Sequence, residues 1–170
     1  PSPLPIDQTL PELLAALLEQ GAAVLEAPPG SGKTTRVPPA LMGVVAGQVW
    51  VLEPRRVAAR AAAARVAFEL GESVGERIGY AMRMDRKAGP KTRVLYVTEA
   101  LLTRRLDDLE DIDAVVLDEF HERSIHADVA LGWVKALRVR RPELKLVVMS
   151  ATLDGDSIAR FLACPRIRAT

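Results

Sequence analysis

Ala27-Pro28-Pro29-Gly30-Ser31-Gly32-Lys33-Thr34-Thr35 follows a short apolar run, Ala22-Ala23-Val24-Leu25, that reads as a buried strand. Two glycines and a serine then lead into Lys33-Thr34, where a helix can begin. This is the plan of a phosphate-binding loop: small residues let backbone N–H groups turn inward on a polyphosphate, and the helix N-terminus adds partial positive charge. Lys33 would reach the β- and γ-phosphates, and the Thr34 hydroxyl would ligate Mg²⁺. The general pattern asks for Gly at the first position. Ala27 stands there instead, at a strand end where φ can stay negative and a methyl group is tolerable. The blander reading is a glycine turn with a stray lysine, so the neighbouring chain must decide.

Working outward, strands and helices alternate. Leu10, Leu13, Leu14, Leu17 and Leu18 give Asp7 to Gln20 a helical period, stopped by Gly21. The helix after Lys33 is expected to be short, because Pro38 and Pro39 do not suit a helix interior. Val49-Trp50-Val51-Leu52 is a second strand, ended by Glu53-Pro54. An alanine-rich helix runs from Arg56 to Leu70, with Val57, Ala61, Ala64 and Phe68 on one face. Ile78 to Met82 is compatible with a strand, and Asp85 to Lys91 reads as a charged turn. Val94 to Val97 is a third clear strand, leading through Thr98 into a helix from Glu99 to Leu106. Asp107 to Asp113 forms an acidic connector, followed by the apolar run Val115-Val116-Leu117. A helix over Ala127–Arg138, a strand over Leu146–Met149, a short helix over Gly155–Leu162 and a strand from Arg166 complete the pattern. Such alternation specifies an α/β domain with a mainly parallel sheet flanked by helices. Ligands of such sheets gather at the C-terminal strand ends. Lys33, Arg55, Thr98, Asp118 and Ser150 all fall just past strand ends.

The bulk properties set limits. A chain of 170 residues, 49% hydrophobic and 26% charged, can bury one sizeable core. Its net charge of +1 excludes a polyanion binder by composition alone. The charge is uneven, however: Pro54 to Arg105 holds twelve Lys/Arg against five Asp/Glu, while the segments on either side are each −3. That middle third suits an anionic partner or a solvated basic face. Cys164 is the sole cysteine, so neither a disulfide framework nor a cysteine metal cluster is expected. No basic region followed by an apolar core marks a signal peptide, and the longest apolar stretch falls short of the roughly 20 residues of a membrane span. A reducing, cytoplasmic setting without membrane contact is the expectation.

Asp118-Glu119 directly follows Val115-Val116-Leu117, and two carboxylates at a buried strand end need a cationic partner. With a phosphate loop in the same chain that partner is Mg²⁺, held by Asp118 together with Thr34. Glu119 is then placed to orient or deprotonate an attacking water. The competing partner is an arginine such as Arg123. His121, two residues on, is within reach of Ser150 or Thr152 at the neighbouring strand end. Arg55 and Arg56 lie at a strand-to-helix junction suited to gripping a phosphodiester, and Thr98-Glu99 offers similar chemistry. Helix capping explains these residues equally well when each is taken alone. Aromatic residues make up only 4% of the chain, so nucleic-acid binding would be backbone-directed and indifferent to sequence.

Five motifs in order, Ala27 to Thr34, Pro54-Arg55-Arg56-Val57-Ala58-Ala59, Val97-Thr98-Glu99, Asp118-Glu119-Phe120-His121 and Ser150-Ala151-Thr152, resemble motifs I, Ia, Ib, II and III of the superfamily 2 DEAH-box helicases. The resemblance covers almost the whole chain, from about Leu4 onward. Phe120 departs from the usual Ala of the box; with Glu53 and Glu122-Arg123-Ser124 it is similar to the bacterial HrpB-type branch. The resemblance implies a RecA-like phosphate-loop NTPase domain binding ATP, or other nucleoside triphosphates, with Mg²⁺. It implies phosphate contacts from Ala27, Pro28, Pro29, Gly30, Ser31, Gly32, Lys33, Thr34 and Thr35, and metal contacts from Thr34, Asp118 and Glu119. Lys33 and Glu119 would serve hydrolysis, with His121, Ser150 and Thr152 coupling it to strand movement. Arg55, Arg56, Thr98 and Glu99 would line the nucleic-acid path, RNA before DNA. By its offset from the arginine pair, Arg65 resembles the family arginine that stacks on the base.

Residues 1–170 are thereby expected to be the first RecA-like lobe of a larger helicase, nearly inactive without the second lobe and its arginine fingers; oligomeric state is not indicated. Two rival readings stand beside this one. A phosphate-loop kinase would need an acceptor pocket and lid arginines. The other is a nucleotide-gated nucleic-acid-binding module without activity of its own, against which the intact Lys33, Asp118 and Glu119 argue for the parent protein.

Overall fold

The computed structural model describes residues 2–98, 111–120, 125–151 and 155–169. Within them, β1 (Ala22–Glu26), β2 (Gln48–Leu52), β3 (Ile78–Met82), β4 (Asp85–Lys87), β5 (Val94–Val97), β6 (Ile112–Leu117), β7 (Lys145–Ser150) and β8 (Arg166–Arg168) form one sheet. Its order is β4-β3-β5-β2-β6-β7-β1-β8. Every pairing is parallel except the β3–β4 hairpin. β1, β3 and β5 are buried along their whole length, as parallel strands covered on both faces must be.

Alternate strand residues feed two cores. One packs under α1 (Leu10–Gln20), α2 (Lys33–Leu41) and α3 (Arg56–Glu69), with Leu13, Leu17, Val37, Leu41, Ala63 and Val66 against Ala23, Leu25 and Val51. The other lies under α4 (Ile125–Arg140) and α5 (Gly155–Leu162), with Leu131, Val134 and Ile158 against Val24, Leu117 and Val148. The strand C-terminal ends therefore emerge side by side along one edge.

Several local expectations change. The helix expected from Asp7 is a 3-10 turn over Pro5–Gln8, followed by α1 from Leu10. Pro11 sits in the first turn of α1, where its missing N–H costs nothing, and Gly21 ends the helix in the left-handed region at φ 83°. Asp85–Lys87 is not a turn but an edge strand, with Tyr80 opposite Lys87. Arg60 and the Tyr80 hydroxyl both bond Asp85, at 3.1 Å each, and pin the hairpin to α3.

The face of α3 that carries Val57, Ala61, Ala64 and Phe68 points outward. Val57 is 71% and Phe68 76% exposed, while Ala59, Ala62, Ala63, Val66 and Ala67 are buried. Alanine is what lets this helix lie close on the sheet. The expected shortening of α2 also does not occur, since Pro38 and Pro39 lie inside its nine residues. Pro38 has no N–H for the Thr34 carbonyl, and the Tyr96 hydroxyl donates to that oxygen instead. The expected helix over Glu99–Leu106 lies outside the described residues.

Candidate active site

The loop after β1 is tied down at both ends. The Ala27 N–H donates to the Ser150 carbonyl at 3.0 Å, and the Ser31 carbonyl accepts from the Ile6 N–H at 3.0 Å. Ala27 is buried at a strand end, so its methyl sits in the core without needing the conformation of glycine. Glycine is required further on. Gly32 opens α2 at φ 98°, and a Cβ there would meet Leu4 Cδ1 at 2.6 Å. Pro28, Pro29 and Gly30 are exposed, leaving the outer rim of the loop open to a ligand. The Thr35 hydroxyl turns back on the Gly32 carbonyl at 3.4 Å.

Lys33 and Thr34 begin α2, at the positive end of its dipole. Lys33 is only 4% exposed, and its charge favours the ionised form of Asp118. The Thr34 hydroxyl donates to Asp118 Oδ2 at 2.7 Å. Residues 84 positions apart, from the phosphate loop and from the end of β6, thus bring together two hard oxygens of the kind a divalent cation takes. Asp118 is buried, which raises its carboxyl above the usual range, while hydrogen bonds from Thr34 and Glu53 oppose that rise.

Glu119 has φ 55°, a left-handed conformation uncommon outside glycine. Its N–H donates to Asp118 Oδ1 at 2.8 Å, so both oxygens of Asp118 are held. Strain of this kind collects at functional sites. Phe120 is buried in the second core, and its N–H bonds the Met149 carbonyl at 3.0 Å, locking the box to β7. Ser150, at the end of β7, is fully buried. His121 and Thr152 lie outside the described residues, as do Glu99 and Arg123, so the contact expected between His121 and the β7 end lies there too.

Sequence reasoning passed over Glu53 as a site residue. It ends β2 beside Asp118 and is 2% exposed. Burial, then the Asp118 charge and a hydrogen bond shared with Asp118, push its carboxyl up to about 9. Glu53 also takes a hydrogen bond from the Arg55 backbone. The signal was present: Glu53 abuts a buried apolar strand just as Asp118 does.

Thr98 is buried at the end of β5, whereas Arg55 and Arg56 are exposed at the start of α3. The Arg56 guanidinium donates to the Arg83 carbonyl at 2.9 Å. Arg93 bonds the Gly47 and Val45 carbonyls, so part of the basic middle third is engaged internally. Arg65 is 63% exposed, further along α3, and its Nε lies 3.6 Å from Glu69. Glu69 is also bonded by Arg36 of α2 at 3.2 Å, which links the Arg65 region to the phosphate-loop helix.

The donor set fits a polyphosphate carrying a hard divalent cation. Thr34 and Asp118 offer paired oxygens, and the buried Ser31 Oγ and Glu53 Oε1 have no hydrogen-bond partner among the described residues. Among the described residues, no three His, Cys, Asp or Glu converge into a metal site of their own. No described helix is long and apolar enough to cross a membrane.

Fold and strand-end residues together define a RecA-like phosphate-loop NTPase domain. More specifically, the chain belongs to the DEAD/DEAH box helicase family, whose family model matches residues 7–161. It is 44% identical over 167 residues to the ATP-dependent RNA helicase HrpB of Escherichia coli, covering 95% of this chain and 21% of that protein. It is 37% identical over 167 residues to the probable ATP-dependent RNA helicase DHR2 of Saccharomyces cerevisiae, covering 93% and 23%. The crystal structure of the Escherichia coli DEAH/RHA helicase HrpB superposes with a TM-score of 0.93 at 43% identity, over 99% of this chain and 22% of that one. The chain thus spans about a fifth of the length of the curated relatives it matches.

Proposed function

We propose that this chain is the first ATP-binding lobe of an ATP-dependent helicase acting on RNA, with Mg²⁺ as its cofactor. Its partner would be a second RecA-like lobe of the same protein. The observation that carries this reading is the 2.7 Å contact between Thr34 and Asp118, which joins the phosphate loop to the Asp118-Glu119-Phe120-His121 box. The relatives named as RNA helicases, from a bacterium and a yeast, support ATP and RNA as ligands.

In this reading the loop from Ala27 to Thr35 cradles the phosphates, with Lys33 as the buried positive charge. Thr34 and Asp118 hold the cation, with Glu119 beside them. When bound, that cation would supply positive charge against the negative charge developing on the phosphate. Glu119, fixed by its left-handed backbone, orients the attacking water and takes its proton. His121, Ser150 and Thr152 relay hydrolysis to the nucleic-acid edge, and Arg65 stacks on the base. Arg55, Arg56, Thr98 and Glu99 contact the RNA backbone, with no stacking platform and hence no sequence preference.

The test is ATP turnover by residues 1–170 and by a version extended through the following lobe, each with RNA, with DNA and with neither. RNA-stimulated turnover in the extended form alone is expected, because an arginine finger from a second lobe is worth on the order of 10³–10⁵ in rate. In that form Glu119→Gln should lower turnover by at least about 100-fold. Undiminished turnover would remove Glu119 from the mechanism, and unwinding by residues 1–170 alone would overturn the one-lobe reading.

A further inference from the structure

Arg36 lies one turn past Lys33 on the phosphate-loop helix α2, and its side chain is only 16% exposed. Three acceptors from different parts of the chain meet its guanidinium. Nη1 donates to Asp7 Oδ2 at 2.7 Å, and Nη2 donates to the Ser2 carbonyl at 2.7 Å and to Glu69 Oε2 of α3 at 3.2 Å. The first two close residues 2–7 into a strap, drawn tighter by the Leu4 N–H, which donates to Asp7 Oδ2 at 2.8 Å. That strap is a wall of the phosphate loop. The Ile6 N–H holds the Ser31 carbonyl at 3.0 Å, and Leu4 and Ile6 fill the space in which Gly32 would carry a Cβ. Ile6 is fully buried, so the strap cannot shift without opening the core beside the loop. On the other side Glu69 divides its carboxylate: Oε2 faces Arg36, and Oε1 lies 3.6 Å from Arg65 Nε. One guanidinium thus joins the phosphate cradle to Arg65, the base contact of the proposed function. A planar fork of donors can make such a three-way junction, and a lysine ammonium cannot match its geometry.

We infer that Arg36 is a positioning residue for the nucleotide, acting on the phosphates through Asp7 and the strap and on the base through Glu69 and Arg65. The inference rests on the functional reading above and adds a residue that touches no ligand. With the strap loose, Ser31 and Gly32 lose their wall. The ligand itself must then order the loop, which lowers affinity for any polyphosphate. With Glu69 gone, Arg65 loses its tether on α3 and must be ordered on the base. That lowers affinity for a nucleotide but not for a bare polyphosphate. The two arms are therefore separable.

The experiment uses the full-length protein with Mg²⁺. A non-hydrolysable ATP analogue and inorganic tripolyphosphate each displace a fluorescent ADP analogue, and the ratio of their affinities isolates the base. Asp7→Ala should weaken both competitors about fivefold and leave the ratio within about twofold of wild type. Glu69→Ala should weaken the ATP analogue alone, by about fivefold. Arg36→Met keeps the stem and removes the guanidinium. It should weaken tripolyphosphate as Asp7→Ala does and shift the ratio as Glu69→Ala does. Adding Arg36→Met to Asp7→Ala should cost tripolyphosphate no further binding, because both changes cut one contact. Should methionine disturb folding, which thermal melting reports, Arg36→Lys should still show at least about a twofold loss of each kind. Lower melting temperatures with both affinities unchanged would make Arg36 purely structural and overturn the inference. So would parallel losses for both competitors in Glu69→Ala, or a further loss of tripolyphosphate binding in the double variant. Wild-type protein that binds the ATP analogue but not tripolyphosphate overturns the inference alone. Wild-type protein that binds neither overturns the functional reading and the inference together.

Discussion

Tyr96 and Thr34 meet through the side chain of one and the main chain of the other. The fully buried Tyr96 hydroxyl donates to the Thr34 carbonyl at 2.7 Å, while the Thr34 hydroxyl points the other way, to Asp118. Thr34, the proposed cation ligand, is thus held from both sides. Burial drives the Tyr96 phenol well above its ordinary range, so it remains a donor throughout the physiological pH range.

Tyr96→Phe leaves the Thr34 carbonyl buried without a donor, because Pro38 cannot supply one. The expected loss is about 1–3 kcal/mol, read as a lower denaturation midpoint with unchanged slope. A variant as stable as wild type would show that the α2 prolines need no outside partner.

Thr34→Val removes the hydroxyl and keeps the shape. Nucleotide affinity measured with Mg²⁺ should fall by at least about tenfold, as expected for losing a bond to a charged group. In EDTA the two proteins should agree within about twofold, since the hydroxyl would reach the nucleotide only through the cation. Equal losses with and without Mg²⁺ would instead mark Thr34 as a purely structural residue.

The pH dependence of stability has a definite sign at Glu53. Its folded value of about 9 lies above the ordinary 4.5, so the native chain keeps a proton that the unfolded chain has released between those limits. Stability from this carboxyl is full below 4.5 and is lost as pH rises toward 9. In metal-free buffer, Glu53→Gln should therefore gain on wild type from pH 5.5 to pH 8.5 in urea unfolding. Parallel curves for the two proteins would show that Glu53 holds no proton there.

Arg55 is exposed at the start of α3, so Arg55→Ala should weaken RNA binding evenly across sequences. It should also flatten the dependence of log affinity on log salt by about 0.7, the share of one neutralised phosphate on a single strand. An unchanged slope in a salt titration would take Arg55 off the RNA path.

What was legible in the sequence were the features written in adjacent residues. The apolar runs became strands, Gly32 opened the expected helix, and Lys33, Asp118 and Ser150 emerged at one edge. What depended on distant partners was not. Pro38 and Pro39 forbid a helix locally, and only Tyr96, 62 residues from Thr34, makes one acceptable for Pro38. The buried side of α3 was hidden because alanines lie all round it, while the bulky Val57 and Phe68 turn outward. Asp85–Lys87 carries the polarity of a turn, and it is a strand because β3 offers an edge. Glu53 is a plain acid before a proline until the sheet sets it against Asp118.

The strand order also sets a timetable. β1, which launches the phosphate loop, pairs only with β7 and β8, Ala22 opposite Leu146 and Val24 opposite Arg166. A ribosome adding about 5–20 residues per second completes β7 roughly 6–25 s after β1. During that interval the nascent loop has no sheet to stand on and Thr34 has no Asp118 until β6 is made. Nucleotide recognition is therefore acquired only once β6 and β7 have followed β1 out of the ribosome. Until then β1 is an apolar segment with two open edges, a template for pairing with the wrong strand.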